Sequence, residues 1–216
     1  MKISYVIGTH NEDPKCIKTL LEHLLKHKDS VDTLSIVDDY STNPETVAIL
    51  AEYVAKVNIH YHALDGNFAD QKNYFSELPE VLDADYIFNI DADEVPKDTL
   101  LLAAKEILLN NPSVDVFRVP RINIVQGITP EYVKQMNWQI NEQGWINYCD
   151  YQMRLYKNAP AKIKWVNKVH EVLSGYETIA DLPAFDQDGK PDTSYCLLHM
   201  KHYDRQREQN EFYNTI

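Results

Sequence analysis

Glycine is scarce in this chain, at 6 of 216 residues, and proline reaches only 10, which excludes collagen-like and low-complexity architectures. Cysteine is scarcer still. Cys16, Cys149 and Cys196 are odd in number and far apart, a pattern that fits neither a disulfide framework nor zinc-ligand spacing and points to a reducing compartment. Basic residues are outnumbered: 21 Lys plus Arg face 33 Asp plus Glu, for a formal net charge of −12. That sign repels phosphate backbones and anionic lipid headgroups, so no nucleic acid is expected as a partner.

Long apolar runs are also missing. The stretch from Ile3 to Ile7 stops at Gly8 and gives way to His10, Asn11, Glu12 and Asp13, too short for the core of a cleaved leader. The most apolar window, Leu100 to Leu109, contains Lys105 and Glu106 and falls well short of the roughly 20 residues of a transmembrane helix. The expectation is a cytoplasmic protein with no transmembrane segment and at most peripheral contact with a membrane. What is present is 44% hydrophobic and 11% aromatic residues, enough to offset backbone ordering by burial, and the length favours one domain over two.

Apolar periodicity organises the N-terminal part. Ile3, Tyr5 and Ile7 read as a buried first strand, and Asp13-Pro14 starts a helix whose Ile17, Leu20, Leu21, Leu24 and Leu25 recur at helical spacing. Leu34 to Val37 is a second strand, and Asn43-Pro44 opens a helix with Val47, Leu50, Ala51 and Val54 on one face. Val57, Ile59 and Tyr61 alternate as a third strand, and a helical stretch from about Asp70 to Leu82 leads to a fourth, Tyr86 to Ile90. A helix with Leu100, Leu101, Ala104, Ile107 and Leu108 and a strand from Val114 to Val119 follow. Such alternation predicts an α/β fold with a mostly parallel sheet, helices on both faces, and ligands beyond the carboxyl ends of the strands. From Arg121 to Tyr151 the rhythm breaks, and about thirty residues without periodicity read as a functional loop or lid. Short strands are expected at Gln152 to Tyr156 and Ile163 to Val166, and a polar helical tail closes the chain.

Asp91-Ala92-Asp93 carries the chemistry. Residues two apart in a strand share a side, so both carboxylates can address one cation at the strand's carboxyl end. A solvated acidic turn gives the same pattern. So does the nucleophile motif of haloacid-dehalogenase-like phosphatases, but those proteins carry it on their first strand, whereas here three strand-helix units precede it. Asp38-Asp39 ends the second strand and leads into Tyr40-Ser41-Thr42-Asn43, residues that suit a turn and helix cap. In a nucleotide site such a carboxylate also accepts the imide N–H of uracil or thymine, or the N1–H and exocyclic amine of guanine.

Taken in order, these segments resemble the family 2 glycosyltransferases, nucleotide-sugar-dependent enzymes with the GT-A fold. Ile3 to Glu12 is similar to their opening strand and T-Y-N-E loop, with His10 in place of Tyr. Val37-Asp38-Asp39-Tyr40-Ser41-Thr42 is similar to V-D-D-G-S-T, with Tyr40 in place of Gly. Phe68 to Asn73 resembles F-x-x-Q-R-N, and Ile90-Asp91-Ala92-Asp93-Glu94 resembles L-D-A-D-E. Gln152 to Tyr156 and Trp165 to Glu171 resemble the R-L-F and W-x-x-x-V-H-E segments of a subgroup that includes lipopolysaccharide-core glucosyltransferases.

The resemblance implies a single GT-A domain over 1–216, with a Rossmann-like sheet, a nucleotide-sugar and metal half (1–120) and a smaller acceptor-side half with tail (121–216). It implies donor contacts from Thr9, Asn11, Glu12, Asp39, Lys72 and Asp91, with Asp39 on the base. Mn²⁺ or Mg²⁺ would be held by Asp91 and Asp93, with His199 as a further ligand ahead of His202; oxygen-rich sites favour these ions over zinc. Glu171 is the expected general base, with Asp150 in reserve. Trp138, Trp145, Arg154, Trp165 and His170 would form the acceptor side. His170 and Glu171, if extended, would point in opposite directions. The activity implied is inverting transfer from a UDP-sugar to a hydroxyl of a glycan, a lipid-linked intermediate or a protein. A magnesium-dependent phosphatase or nucleotidyltransferase, and a non-catalytic nucleotide-sugar scaffold, are the rival readings.

Overall fold

In a computed structural model, residues 1–213 and 215 are described. The opening strand β1 (Ile3–Thr9) buries six of its seven residues. Its alternation sends Ile3, Tyr5 and Ile7 into one core and Val6 into another across the sheet. Helix α1 (Pro14–His27) starts where Asp13 accepts the backbone N–H of Lys15, and it buries Ile17, Leu20, Leu21 and Leu24. After β2 (Thr33–Asp38), Asn43 caps α2 (Pro44–Tyr53) through the N–H groups of Glu45 and Thr46. Both caps precede a proline whose missing N–H costs nothing at the first helical position.

The buried stripe of α2 differs from the one expected. It is Thr46, Leu50 and Tyr53, while Val47 and Val54 are exposed. Tyr53 packs its ring inward and reaches Glu22 of α1 with its hydroxyl at 3.2 Å, which rotates the helix away from the all-aliphatic face.

Strand β3 (Asn58–Tyr61) is the sheet edge, and α3 (Phe68–Tyr74) with a single 3₁₀ turn over 75–77 is shorter than the helix expected over 70–82. Leu78 leaves helical geometry there. Strand β4 (Tyr86–Asp91) carries the acidic motif at its end, β5 (Glu94–Pro96) doubles back, and α4 (Asp98–Asn110) buries Leu100, Leu101, Ala104 and Leu108.

The segment from Arg121 to Tyr151 is not a thirty-residue loop. Strand β6 (Val116–Gln126) runs on past Arg121, the connection holds a short helix α5 (Pro130–Gln135), and β7 (Ile146–Lys157) returns antiparallel. Most side chains lining the cleft along both strands are polar (Arg121, Asn123, Asp150, Gln152 and Arg154, against Val125, Ile146 and Met153), so hydrophobic alternation is obscured there although the backbone is paired. A two-stranded ribbon of β8 (Lys164–Val166) and β9 (Val172–Ser174) follows, then β10 (Ile179–Asp181), β11 (Leu197–His202) and α6 (Tyr203–Tyr213).

The sheet order is β3-β2-β1-β4-β7-β6-β11-β5, with β10 beside β6. Only β7 and β5 run against the rest. Helices α1, α2 and α4 cover one face, and α3 with the β8–β9 ribbon covers the other. The carboxyl ends of β1, β2 and β4 therefore open on the same rim as β6, β7 and β11. Among the described residues, no helix is long and apolar enough to cross a membrane.

Candidate functional site

A cleft of ≈ 1040 Å³ lies on that rim, lined by Thr9, Asp39, Lys72, Asp91, Asp93 and Glu171 among others. One side of it is formed by the loops after β1 and β2. Asp38 is buried and accepts from the Ser41 hydroxyl and backbone N–H, at 2.6 and 3.0 Å, so it holds the loop. Asp39 faces the cleft, with one carboxylate oxygen on the Leu64 N–H at 3.0 Å. Tyr40 stands at φ 46°, a left-handed conformation that explains why glycine suits this position in the related motif. Its ring stacks on Tyr61.

The loop after β1 divides its expected donor residues. Thr9 lines the cleft with a buried hydroxyl that has no partner among the described residues. Glu12 also lines it, 3.5 Å from Arg205 of α6. Asn11 instead ties the two loops together: its side-chain oxygen accepts from the N–H groups of Thr42 and Asn43 at 2.7 Å each, and its own N–H donates to Ser41.

At the end of β4 the acids are held by cations. Asp91 pairs with Arg154 and lies 3.6 Å from Lys72. Burial alone would raise its pKa, but Arg154 and Lys72 outweigh burial and hold it down at about 2. Asp93 lies 3.1 Å from His199 Nε2 and 3.0 Å from Lys201 Nζ. Here too burial opposes ionisation, and His199 and Lys201 overcome it, keeping the carboxyl well below its usual range. The two aspartates thus have separate sets of partners.

Glu94, fully buried, accepts from Arg154 Nε at 3.0 Å and from Arg121 at 2.9 Å. Opposite Arg121 in the β6–β7 register stands Asp150, which takes two Arg121 donors plus Asn123 and Gln152. Burial works against its charge, and Arg121 leads the contacts that lower its pKa nonetheless. Sequence reasoning assigned no role to Glu94, Arg121, Asn123 or Lys201. Their signal was the third acid of the motif, since a fully buried carboxylate needs cationic partners.

His199 sits beside Asn123 in the β6–β11 register and opposite Glu94 in β5. Its Nδ1 is 2.7 Å from the Asn123 side-chain oxygen, whose amide nitrogen is committed to Asp150. Nδ1 is therefore the donor, and Nε2 is left facing Asp93. An imidazole nitrogen and a carboxylate oxygen at this spacing suit two adjacent ligands of a divalent ion, with Asn123 fixing the ring from behind.

Among the residues expected for the acceptor side and the base, Glu171 receives Lys72 Nζ at 2.5 Å. The Lys72 ammonium also sits over the Trp165 ring, 4.7 Å from its centroid. Trp165 is buried, with its indole N–H on Tyr156, so it supports Lys72 and offers no free face. His170 is left-handed at φ 53°, so the segment turns rather than extends, and both His170 and Glu171 line the cleft. Trp138 lines it too. Trp145 packs on Tyr148 away from it. His202 pairs with Asp204 at 3.2 Å, outside the cleft lining.

Comparison with solved structures gives the fold: the curled, mostly parallel sheet matches the GT-A, Rossmann-like glycosyltransferase architecture. S. aureus TarS 1–349 in complex with UDP-GlcNAc aligns at a TM-score of 0.59 and 18% identity, over 93% of this chain and 59% of that one. The same protein in complex with UDP aligns at 0.60 and 18%, over 96% and 63%. A curated relative, the uncharacterized protein y4gI of Sinorhizobium fredii, is 23% identical over 149 residues, 64% of this chain but 16% of that protein's length. Residues 4–162 match the family described as Glycosyl transferase family 2, and the chain belongs to that family.

Proposed function

We propose that the protein is a metal-dependent, inverting glycosyltransferase that moves a sugar from a UDP-sugar to an acceptor hydroxyl on a glycan, a lipid-linked intermediate or a protein. The observation that carries the reading is the meeting of Asp39, Asp91, Asp93, His199 and Glu171 around one cleft at the carboxyl ends of the strands. The solved relative's complexes with UDP and UDP-GlcNAc support a uridine donor. Asp39 has one carboxylate oxygen free of the Leu64 N–H to accept a base imide. The partnerless Thr9 hydroxyl supplies a donor at the same edge.

Asp93 and His199 would hold Mn²⁺ or Mg²⁺, with Asp91 beside them, and the ion would neutralise charge growing on the departing diphosphate. Glu171 takes the acceptor's proton as the acceptor oxygen bonds to the anomeric carbon and the bond from that carbon to the phosphate oxygen breaks. Lys72 bridges Glu171 and Asp91 in the free protein. A donor diphosphate competes for that ammonium and frees Glu171 to act as base. Asp150 suits the role less, because its oxygens are already committed to Arg121, Asn123 and Gln152. A phosphatase mechanism would need Asp91 as nucleophile, which its pairing with Arg154 disfavours.

Thermal-shift titration of nucleotide sugars with and without Mn²⁺ tests the reading. UDP-sugars should stabilise the protein in Mn²⁺ and more weakly without it, and Asp93→Asn should remove the difference. Stabilisation by no nucleotide sugar, or an equal shift in both conditions, overturns it.

A further inference from the structure

A second cluster of metal-ligating groups lies on the helical face of the sheet. Helix α1 presents His23 and His27 one turn apart, with ring centroids 4.8 Å apart. Opposite them the chain leaves β5 at Pro96 and enters α4 at Asp98. His23 Nε2 is 3.7 Å from one Asp98 oxygen, and His27 Nε2 is 3.5 Å from the other. One ligand atom from each of the three residues falls within 4.8 Å of the others.

The His27 side chain is 8% exposed, yet among the described residues its Nε2 has no hydrogen-bond partner. A buried polar atom left so is costly, and this one lies 3.5 Å from the Asp98 carboxylate. Zinc bonds of about 2.0–2.2 Å place adjacent tetrahedral ligands about 3.3–3.6 Å apart, close to the spacings seen. The Pro96 carbonyl lies 2.8 Å from His23 Nε2, beside the cluster.

We propose that His23, His27 and Asp98 form a binding site for Zn²⁺ or a similar late first-row divalent ion, separate from the cleft and independent of the reaction assigned to it. Two imidazoles beside a single carboxylate favour such an ion over Mg²⁺ or Mn²⁺, which suit more oxygen-rich ligand sets. His23 Nε2 now donates its proton to the Pro96 carbonyl, so metal binding there moves that proton to Nδ1 and leaves a neutral imidazole whose Nε2 lone pair meets the ion. Asp98, on the exposed first turn of α4, gives the ion access. The bound ion would clasp α1 to the β5–α4 turn, the turn that follows directly on Asp91, Asp93 and Glu94.

Co²⁺ titrated into the full chain and into Asp93→Asn, Asp98→Asn and His27→Gln tests the site by its visible d–d absorption. The absorption that persists in Asp93→Asn reports this cluster, because that change disables the cleft. It should persist there, and Asp98→Asn and His27→Gln should each weaken it at least about 10-fold. Zn²⁺ should raise the melting temperature of Asp93→Asn but not of the double variant Asp93→Asn/Asp98→Asn, in which both sites are disabled. Asp98 is exposed, so its replacement leaves the fold standing even if His27→Gln does not. Loss of the absorption in Asp93→Asn, or full retention in Asp98→Asn, overturns the proposal.

Discussion

At the carboxyl end of β2, Asp38 and Asp39 are held by a serine hydroxyl and backbone N–H groups from their own and neighbouring loops, with the His10 imidazole 3.4 Å from the second Asp39 oxygen. At the end of β4, Asp91, Asp93 and Glu94 are held by Lys72 of the preceding α3 and by Arg121, Arg154, His199 and Lys201 of the later strands β6, β7 and β11. The first arrangement is local and leaves one carboxylate oxygen to recognise a neutral donor group. The second is a network of full charges in which five carboxylates, Asp150 and Glu171 included, meet four permanent cations and an imidazole. Such a network can exchange partners when a cation and a diphosphate arrive. One half of the cleft is built to read and the other to redistribute charge.

The largest expected effect separates chemistry from binding within the charged half. Glu171→Gln should lower turnover by about 10²- to 10⁴-fold, the range for a general base, while UDP affinity in Mn²⁺ stays near wild type. Turnover measured beside isothermal titration decides it, and a variant with near-normal turnover removes Glu171 as the base.

Stability should divide the two halves next. Arg154→Met strips the buried Glu94 of its closest partners, and breaking a buried ion pair from one side costs about 3–5 kcal/mol. Asp39→Asn keeps an oxygen for the Leu64 N–H and should cost less than about 1 kcal/mol. Urea unfolding of both variants measures the contrast; equal losses would show that the β2 acids are as deeply embedded as those after β4. A smaller effect probes Tyr40. Both Tyr40→Gly and Tyr40→Ala lose the stack on Tyr61, but alanine keeps the left-handed strain. The glycine variant should therefore be the more stable by about 1 kcal/mol.

The same division governs what could be read from the chain. The β1-to-β4 half is made of consecutive strand and helix units, so apolar spacing marked α1 and α4, and Asp13-Pro14 and Asn43-Pro44 marked two helix starts. Asp39, Asp91 and Asp93 were legible because they end those strands. In the other half, periodicity failed where β6 and β7 turn polar side chains toward the cleft, and a paired hairpin passed for a loop. His199 and Glu171 came into view only through family resemblance, since register between distant strands leaves no local pattern. Glu94 and Arg121 escaped both routes. A residue whose work is to hold another in place looks, in sequence, like any surface charge.

The smallest expected effect lies at the opposite end of the sheet, where Asp115 joins β6 and β7 to the segment before β10. It accepts from the Glu177 N–H at 2.8 Å, from Lys157 Nζ at 2.9 Å and from the Thr178 N–H at 3.3 Å. The Glu177 N–H, with Lys157, holds its pKa at about 2, below the ordinary 3.8. A depressed carboxylate stabilises the fold in full above its unfolded value and loses that contribution as pH falls toward the folded one. Wild type should therefore exceed Asp115→Asn in stability at neutral pH, and the gap should close between about pH 4 and about pH 2. Melting temperatures of the pair across that window test it. The cleft acids titrate in the same window in both proteins and cancel in the difference. A gap that stays constant with pH would mean that Asp115 works by shape and hydrogen bonding alone, and that charge governs only the catalytic end of the sheet.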